Sequence, residues 1–366
     1  MRVLAASREP FGLTVSHALL NRLRVQHFRN LHNLELEVGA GRNWIIGANA
    51  AGKTALLEAL YCLSRGRSFR GRRFGNLIER GASGALVEGW LEKEGSLRRL
   101  RWSSAQGEVL REPDTVERML PVRLICEWTH ALVDGEPSLR RRFVDWNLVL
   151  WEPSAASSFS RFRRVAAQRN AWLRSGGVGR AVWDLAYAEA LADILRRRAS
   201  FFAELAVFFR TLSLEEDWFT DIDLRWDGLS ADSEELMARL EEMRAVDKER
   251  GFTYLGISRA DFSFRCDGLK WFGSRGQAKV LGCLLQVAAE QLVSAVDGSR
   301  ALWLVDDLDA ELAPAWTQRL IDLLGRQSYQ TVYTLLPGKL VPEQGLGSAD
   351  RMFHVEHGRL LAREAT

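Results

Sequence analysis

Cysteine is scarce and scattered in this chain. Cys62, Cys126, Cys266 and Cys283 stand far apart with no C-x-x-C pair, which argues against a zinc ribbon or a disulfide scaffold and fits reduced thiols in a cytosolic protein. No run of about 18 apolar residues occurs, so a membrane span is not expected. The opening residues, with Arg8, Glu9 and Pro10, lack the apolar stretch of a secretion signal. Neither charge dominates, since the 366 residues carry a formal net charge of +3. Lysine is the rarest charged residue: six of the 50 basic side chains are Lys, and only Lys53 lies within the first 92 residues. With 47% hydrophobic residues, the chain can bury a core large enough for two domains, or for one domain with an insertion.

That isolated lysine sits in Gly47-Ala48-Asn49-Ala50-Ala51-Gly52-Lys53-Thr54, which matches G-x-x-x-x-G-K-[ST] at every fixed position. At this composition about 0.004 matches would arise by chance. The context fits as well, because Trp44-Ile45-Ile46 reads as a buried strand entering the loop and Leu56, Leu57, Leu60 and Leu63 as a helical apolar stripe leaving it. In such a unit the loop amides and helix N-terminus hold a β-phosphate, Lys53 reaches the β- and γ-phosphates, and the Thr54 hydroxyl ligates magnesium. ATP and Mg2+ are therefore the expected cofactors. The plain alternative is a glycine turn before an ordinary helix.

Far downstream, Ala301-Leu302-Trp303-Leu304-Val305 ends in Asp306-Asp307. This pattern predicts a buried strand that delivers carboxylates to the phosphate site, Asp306 for the metal and Asp307 to orient or deprotonate an attacking water. Before it, Ser274-Arg275-Gly276-Gln277 opens a long apolar-periodic helix through Val280, Leu284, Val287 and Leu292, with Ser274 placed as its N-cap. The positive end of that helix is available to a phosphate.

Arginine is unevenly spread. Six of them lie between Arg65 and Arg80 against one acid, and nine lie between Arg161 and Arg198 against three. Such clusters can line a nucleic-acid face, or simply solvate a helix. Helical periodicity from Phe159 to Phe209, broken at Gly176, Gly177 and Gly179, describes a short helical arm rather than long heptads. His354 and His357 have a ligand-like spacing, read as hairpin surface chemistry.

The order of motifs resembles the ABC-type ATPases related to the SMC chromosome-maintenance proteins, and within them the RecF family of bacterial recombinational repair proteins. Residues that carry the resemblance include Phe28-Arg29-Asn30-Leu31, the loop ending Gly52-Lys53-Thr54, Gly66-Arg67-Ser68-Phe69-Arg70, Arg140-Arg141-Arg142-Phe143-Val144-Asp145-Trp146, Gln168-Arg169-Asn170, Ser274-Arg275-Gly276-Gln277, Asp306-Asp307 and Phe353-His354-Val355-Glu356-His357-Gly358. It implies an α/β, P-loop ABC-type ATPase head with a mixed sheet and an inserted short helical arm. The expected divisions are an N-terminal extension at 1–19, head at 20–120, arm at 121–251 and head again at 252–366.

The resemblance further implies an ATP-sandwiched homodimer in which Ser274, Arg275, Gly276 and Gln277 of one copy meet the γ-phosphate held by Lys53 of the other. Arg29 and Asn30 join the nucleotide-binding residues. Single-stranded or gapped DNA, RecO and RecR are the implied partners, in the cytoplasm, with Arg70, Arg72, Arg73, Arg161, Arg163 and Arg164 as candidate DNA contacts. Two departures stand out: Glu311-Leu312-Ala313 where the family has Glu-Leu-Asp, and Ala50 where a loop glycine is usual. The competing readings are another ABC-type DNA-processing subunit, such as a nuclease, and an ATP-binding scaffold that does not hydrolyse. A nuclease needs a further acidic or His-rich metal cluster, and the sequence shows none.

Overall fold

The computed structural model describes residues 18–71, 74–105, 108–113, 116–176, 182–308, 312–327, 329–338 and 347–361. Nearly all of the 1–19 extension, together with Glu311, lies outside them. The chain divides into two compact units. One comprises Met1–Leu124, Asp297–Asp307 and Leu324–Thr366; the other comprises Ile125–Val296 and Leu308–Leu323. The stretch expected as an arm, 121–251, falls almost wholly in the second unit, which continues through the Ser274 segment.

In the first unit a helix separates two sheets. Strands β1 (Leu19–Phe28), β2 (Leu31–Glu37), β3 (Arg42–Ile46), β4 (Gly84–Lys93), β5 (Ser96–Ala105), β6 (Glu108–Glu112) and β7 (Val122–Ile125) come before the second unit, and β11 (Leu302–Val305), β12 (Thr331–Leu335), β13 (Arg351–Glu356) and β14 (Arg359–Leu361) after it. The five-stranded sheet, ordered β2-β1-β4-β5-β6, is antiparallel. The six-stranded sheet runs β14-β13-β3-β12-β11-β7, and its strands β13, β3, β12 and β11 are mutually parallel. Every residue of β11 and β12 is buried, the pattern of strands covered on both faces. Helix α1 (Lys53–Arg65) places Leu56, Leu57, Leu60 and Leu63 in one core cluster with Leu23, Val25, Leu100 and Trp102 of the first sheet and Ile45, Leu304 and Val332 of the second. Phe28 meets Trp102 edge to face at 5.6 Å. A short helix, α2 (Val116–Met119), leads into β7.

The second unit is mainly helical. Among the described residues its helices are α3 (Ala131–Asp134), α4 (Pro137–Trp151), α5 (Ala155–Arg174), α6 (Val182–Glu216), α7 (Ser233–Glu242), α8 (Arg244–Arg250), α9 (Arg275–Asp297) and most of α10 (Pro314–Arg326), with a small sheet ordered β10 (Leu269–Lys270), β9 (Asp261–Cys266), β8 (Ile222–Asp227). Phe162 and Val165 of α5, Tyr187, Leu191 and Leu195 of α6, and Leu236 and Leu240 of α7 make one core. The segment Arg275–Val296 is long and apolar enough to cross a bilayer, but 78% of it is buried inside the protein. It is a core helix, which explains its apolar composition.

The arginine-rich motifs of this unit turn out to be internal fasteners. Arg169 donates to Asp184 at 2.8 Å and to Asp247 at 2.8 Å, with all three side chains almost fully buried, while Asn170 accepts two bonds from Thr253 at 2.8 Å. Arg140 forks onto Asp261 at 2.8 and 2.7 Å, and Arg198 onto Asp145 at 2.7 Å through both nitrogens. Removing one partner from a buried pair strands a charge out of water, at a cost of about 3–5 kcal/mol. Asp247→Ala is therefore expected to lower stability by about that much in urea unfolding, against less than about 0.5 kcal/mol for the exposed Arg164→Ala.

Candidate functional site

The phosphate loop leaves the C-terminal end of β3, the strand between β12 and β13 in a parallel run. This is where open parallel sheets place their ligands. Its glycines are required by contact. A Cβ at Gly47 would stand 2.4 Å from the Val355 carbonyl oxygen, and Gly52 sits at φ 116°. The first turn of α1 has no side-chain cap and no acid, so its amides and the positive end of its dipole stay available to an anion. Lys53 Nζ donates to the carbonyls of Gly47 and Ala48, each at 2.9 Å, and this bridge holds the buried ammonium across the loop.

Asp306 follows β11 and lies next to that loop. Its Oδ1 accepts from Thr54 Oγ1 at 3.1 Å and from Thr334 Oγ1 at 2.8 Å. Burial raises its pKa above the ordinary carboxylate value, the charge on Asp307 adds to the rise, and Arg70 opposes it. Asp307 takes a left-handed φ of 43° and bonds through its N–H to Thr334 Oγ1 at 3.1 Å, leaving its carboxylate side exposed. A hydroxyl and a buried carboxylate 3.1 Å apart form a hard oxygen pair suited to magnesium. Arg70, considered from sequence as a DNA contact, thus carries its charge into the field of Asp306.

Two segments brace the loop from outside. Arg29 forks onto Glu58 of α1 at 2.8 and 2.7 Å, and Glu58 is fully buried and also accepts from Ser68. Asn30 Nδ2 donates to the Ala50 carbonyl at 3.0 Å, and the Gly358 amide donates to the Ala51 carbonyl at 2.8 Å. The hairpin that carries His354 and His357 is thereby part of the loop's support. Neither Glu58 nor Thr334 was expected from sequence. Glu58 left one signal, an acid inside an apolar helical stripe, and Thr334 left none. Ala50 occupies φ 61°, so the missing loop glycine leaves a non-glycine residue in a strained backbone.

The expected residues Ser274 to Gln277 and Arg161, Arg163 and Arg164 belong to the second unit. Ser274 caps α9 reciprocally: its Oγ accepts from the Gln277 amide at 3.2 Å, and Gln277 Oε1 accepts from the Ser274 amide at 2.8 Å. Ser274, Arg275 and Gln277 are exposed. Arg161 is exposed and paired with Glu189 at 3.2 Å, Arg163 bonds Ser160 at 3.2 Å, and Arg164 is exposed. Arg72 and Arg73 lie outside the described residues.

A phosphate loop closing a central parallel strand, with a carboxylate strand one strand away in the same sheet, defines a P-loop ATPase head. The family described as AAA domain matches residues 22–120. A DNA replication and repair protein RecF from Yersinia pestis bv. Antiqua (strain Angola) is 31% identical, over 93% of this chain and 98% of that protein. The chain belongs to the RecF family of DNA replication and repair proteins. Its fold is similar to that of a recombination mediator protein RecF solved with ATP, with TM-score 0.81, 21% identity and coverage of 97% of this chain and 100% of that one. A more distant likeness, with TM-score 0.54, 14% identity and coverage of 94% and 95%, links it to the Smc head domain from Pyrococcus furiosus.

The raised pKa of Asp306 has a stability consequence with a definite sign. A carboxyl whose pKa is higher in the fold than in the unfolded chain binds more protons when folded, so stability falls as pH rises through the window between the two values. Asp306→Asn keeps an oxygen acceptor for Thr54 and Thr334 without the charge. It is expected to raise the melting temperature at neutral pH, by roughly 1 kcal/mol in stability, with no gain below the carboxylate's unfolded pKa. Calorimetric melting at two pH values checks this.

Proposed function

We propose that this chain is an ATP-dependent DNA-binding protein of recombinational repair, replication restart and SOS induction. Its loop binds ATP, an ATP-sandwiched homodimer closes on single-stranded or gapped DNA, and slow hydrolysis releases it. The observation that carries the reading is the convergence of Lys53, Thr54 and Asp306 at the ends of β3 and β11, joined by an uncapped helix N-terminus. Magnesium, held by Thr54 Oγ1 and Asp306, supplies charge neutralisation at the β- and γ-phosphates. Lys53 exchanges its two carbonyl partners for phosphate oxygens. Asp307 orients the attacking water and takes its proton. Arg70, exposed and with its charge reaching Asp306, stays among the proposed DNA contacts.

The dimer reading is supported by the exposed cap at Ser274, where the helix dipole and the Gly276 backbone are open to a second copy's nucleotide. Leu269 and Phe272, 74% and 83% exposed, lie a few residues before it in the chain. Apolar side chains left this open suit a face that a partner covers. Arg161, Arg163 and Arg164 on α5, together with Arg72 and Arg73, remain the proposed DNA contacts. RecO and RecR are proposed partners from family membership, in the cytoplasm, where four free thiols persist.

Lys53→Met removes two charge-assisted bonds to phosphate, worth about 3 kcal/mol together, and should weaken ATP binding about 100-fold in equilibrium dialysis. Asp307→Asn should bind ATP and accumulate as dimer in light scattering with a gapped duplex. A parent protein that stays monomeric at saturating ATP and DNA would remove the sandwich.

A further inference from the structure

Two of the chain's six histidines converge on one glutamate outside the phosphate site. Glu79 Oε2 lies 2.6 Å from His27 Nδ1 and 3.1 Å from His32 Nδ1, and Oε1 lies 3.3 Å from His32 Nδ1. The two rings meet edge to face at 4.9 Å, and the three donor groups lie within 4.8 Å of one another. The residues come from the end of β1, the start of β2, and a segment some fifty residues later. Two imidazole edges turned toward one carboxylate is the donor set of a borderline transition metal.

We infer that His27, His32 and Glu79 form a binding site for a divalent transition-metal ion of the zinc class, which clamps the turn carrying Arg29 and Asn30. Ligands about 2.0–2.1 Å from zinc stand roughly 3.3 Å apart in a tetrahedron, and the His32–Glu79 separations already match that edge. The closer His27 contact is a hydrogen bond whose proton the ion displaces as it binds. His27, His32 and Glu79 are 44%, 58% and 27% exposed, so an ion can enter and water can take the fourth position.

The turn has something to be held against. His27 and Arg29 both occupy left-handed backbone, at φ 51° and 56°, which costs non-glycine residues energy. The segment after the arginine-rich loop already grips this turn: the Glu79 amide donates to the His27 carbonyl at 2.9 Å, and the Arg29 amide to the Leu77 carbonyl at 2.7 Å. From there Arg29 reaches Glu58, and Asn30 reaches the phosphate loop. An ion at the triad therefore reinforces the brace on that loop.

The test uses the full chain in an Asp306→Asn background, so that the nucleotide site loses its carboxylate ligand, stripped with chelator and titrated with Co2+ and Zn2+. One Co2+ per chain with a tetrahedral absorption band is expected. His32→Ala and Glu79→Gln, both surface changes, should each weaken uptake more than about 100-fold, beyond what losing an outer partner costs. Zn2+ should raise the melting temperature of the parent and of neither variant. No uptake by the parent, or equal uptake and equal melting shifts in all three proteins, overturns the site. The clamp rests on the proposed nucleotide site only in its consequence: uptake by a chain shown not to bind ATP still supports the metal site while counting against that function.

Discussion

A carboxylate forced out of water organises the head. Asp306 is carried to the sheet's C-terminal edge by a strand buried along its whole length, and there, half-buried, it meets Thr54 and Thr334. The two hydroxyls satisfy Oδ1 without balancing its charge, which is why burial dominates the rise in its pKa. Strand β12 lies between the acidic strand and the phosphate-loop strand in one parallel register, so sheet geometry fixes the spacing between carboxylate and loop.

Strain gathers around this carboxylate. Ala50 in the loop, Asp307 beside the carboxylate, Arg29 and His27 in the bracing turn, and His357 at the hairpin tip all hold left-handed backbone. Non-glycine residues settle there only where their surroundings over-determine the conformation. The surroundings here are specific: Asn30 grips the Ala50 carbonyl, Thr334 accepts the Asp307 amide, and Gly358 grips Ala51. A loop braced from three directions can keep its amides aimed at one point, and that pre-organisation offsets the local backbone cost.

The parts of the head legible in the sequence were those whose chemistry is written over a few consecutive residues. The phosphate loop, the strand ending in Asp306-Asp307 and the Ser274 cap each announce themselves through fixed local spacing, and the α/β class follows from the apolar runs around them. The antiparallel sheet and the partners of Asp306 were not legible, because Thr334 reaches its role only by lying on the neighbouring strand. The His27–His32–Glu79 cluster hid for the same reason, its third member lying about fifty positions from the first two. Arginine misled in the opposite direction. Arg169 and Arg198 fell within a stretch read for its excess positive charge, yet each is spent on a carboxylate of its own unit, since composition counts charges without saying which are already paired.

That pairing sharpens where nucleic acid could be recognised. A guanidinium committed to buried carboxylates cannot neutralise a phosphate without breaking a pair that costs several kcal/mol to open, so Arg169 is removed from any electrostatic footprint, while Arg140 and Arg198 are held by the half-buried Asp261 and Asp145. What remains on α5 is Arg163, Arg164 and Arg174, with Arg161 weakly held by an exposed Glu189, a contact worth at most about 1 kcal/mol and easily exchanged. The charge left open on α5 is therefore smaller than its arginine count, because Arg169 is committed inside the unit.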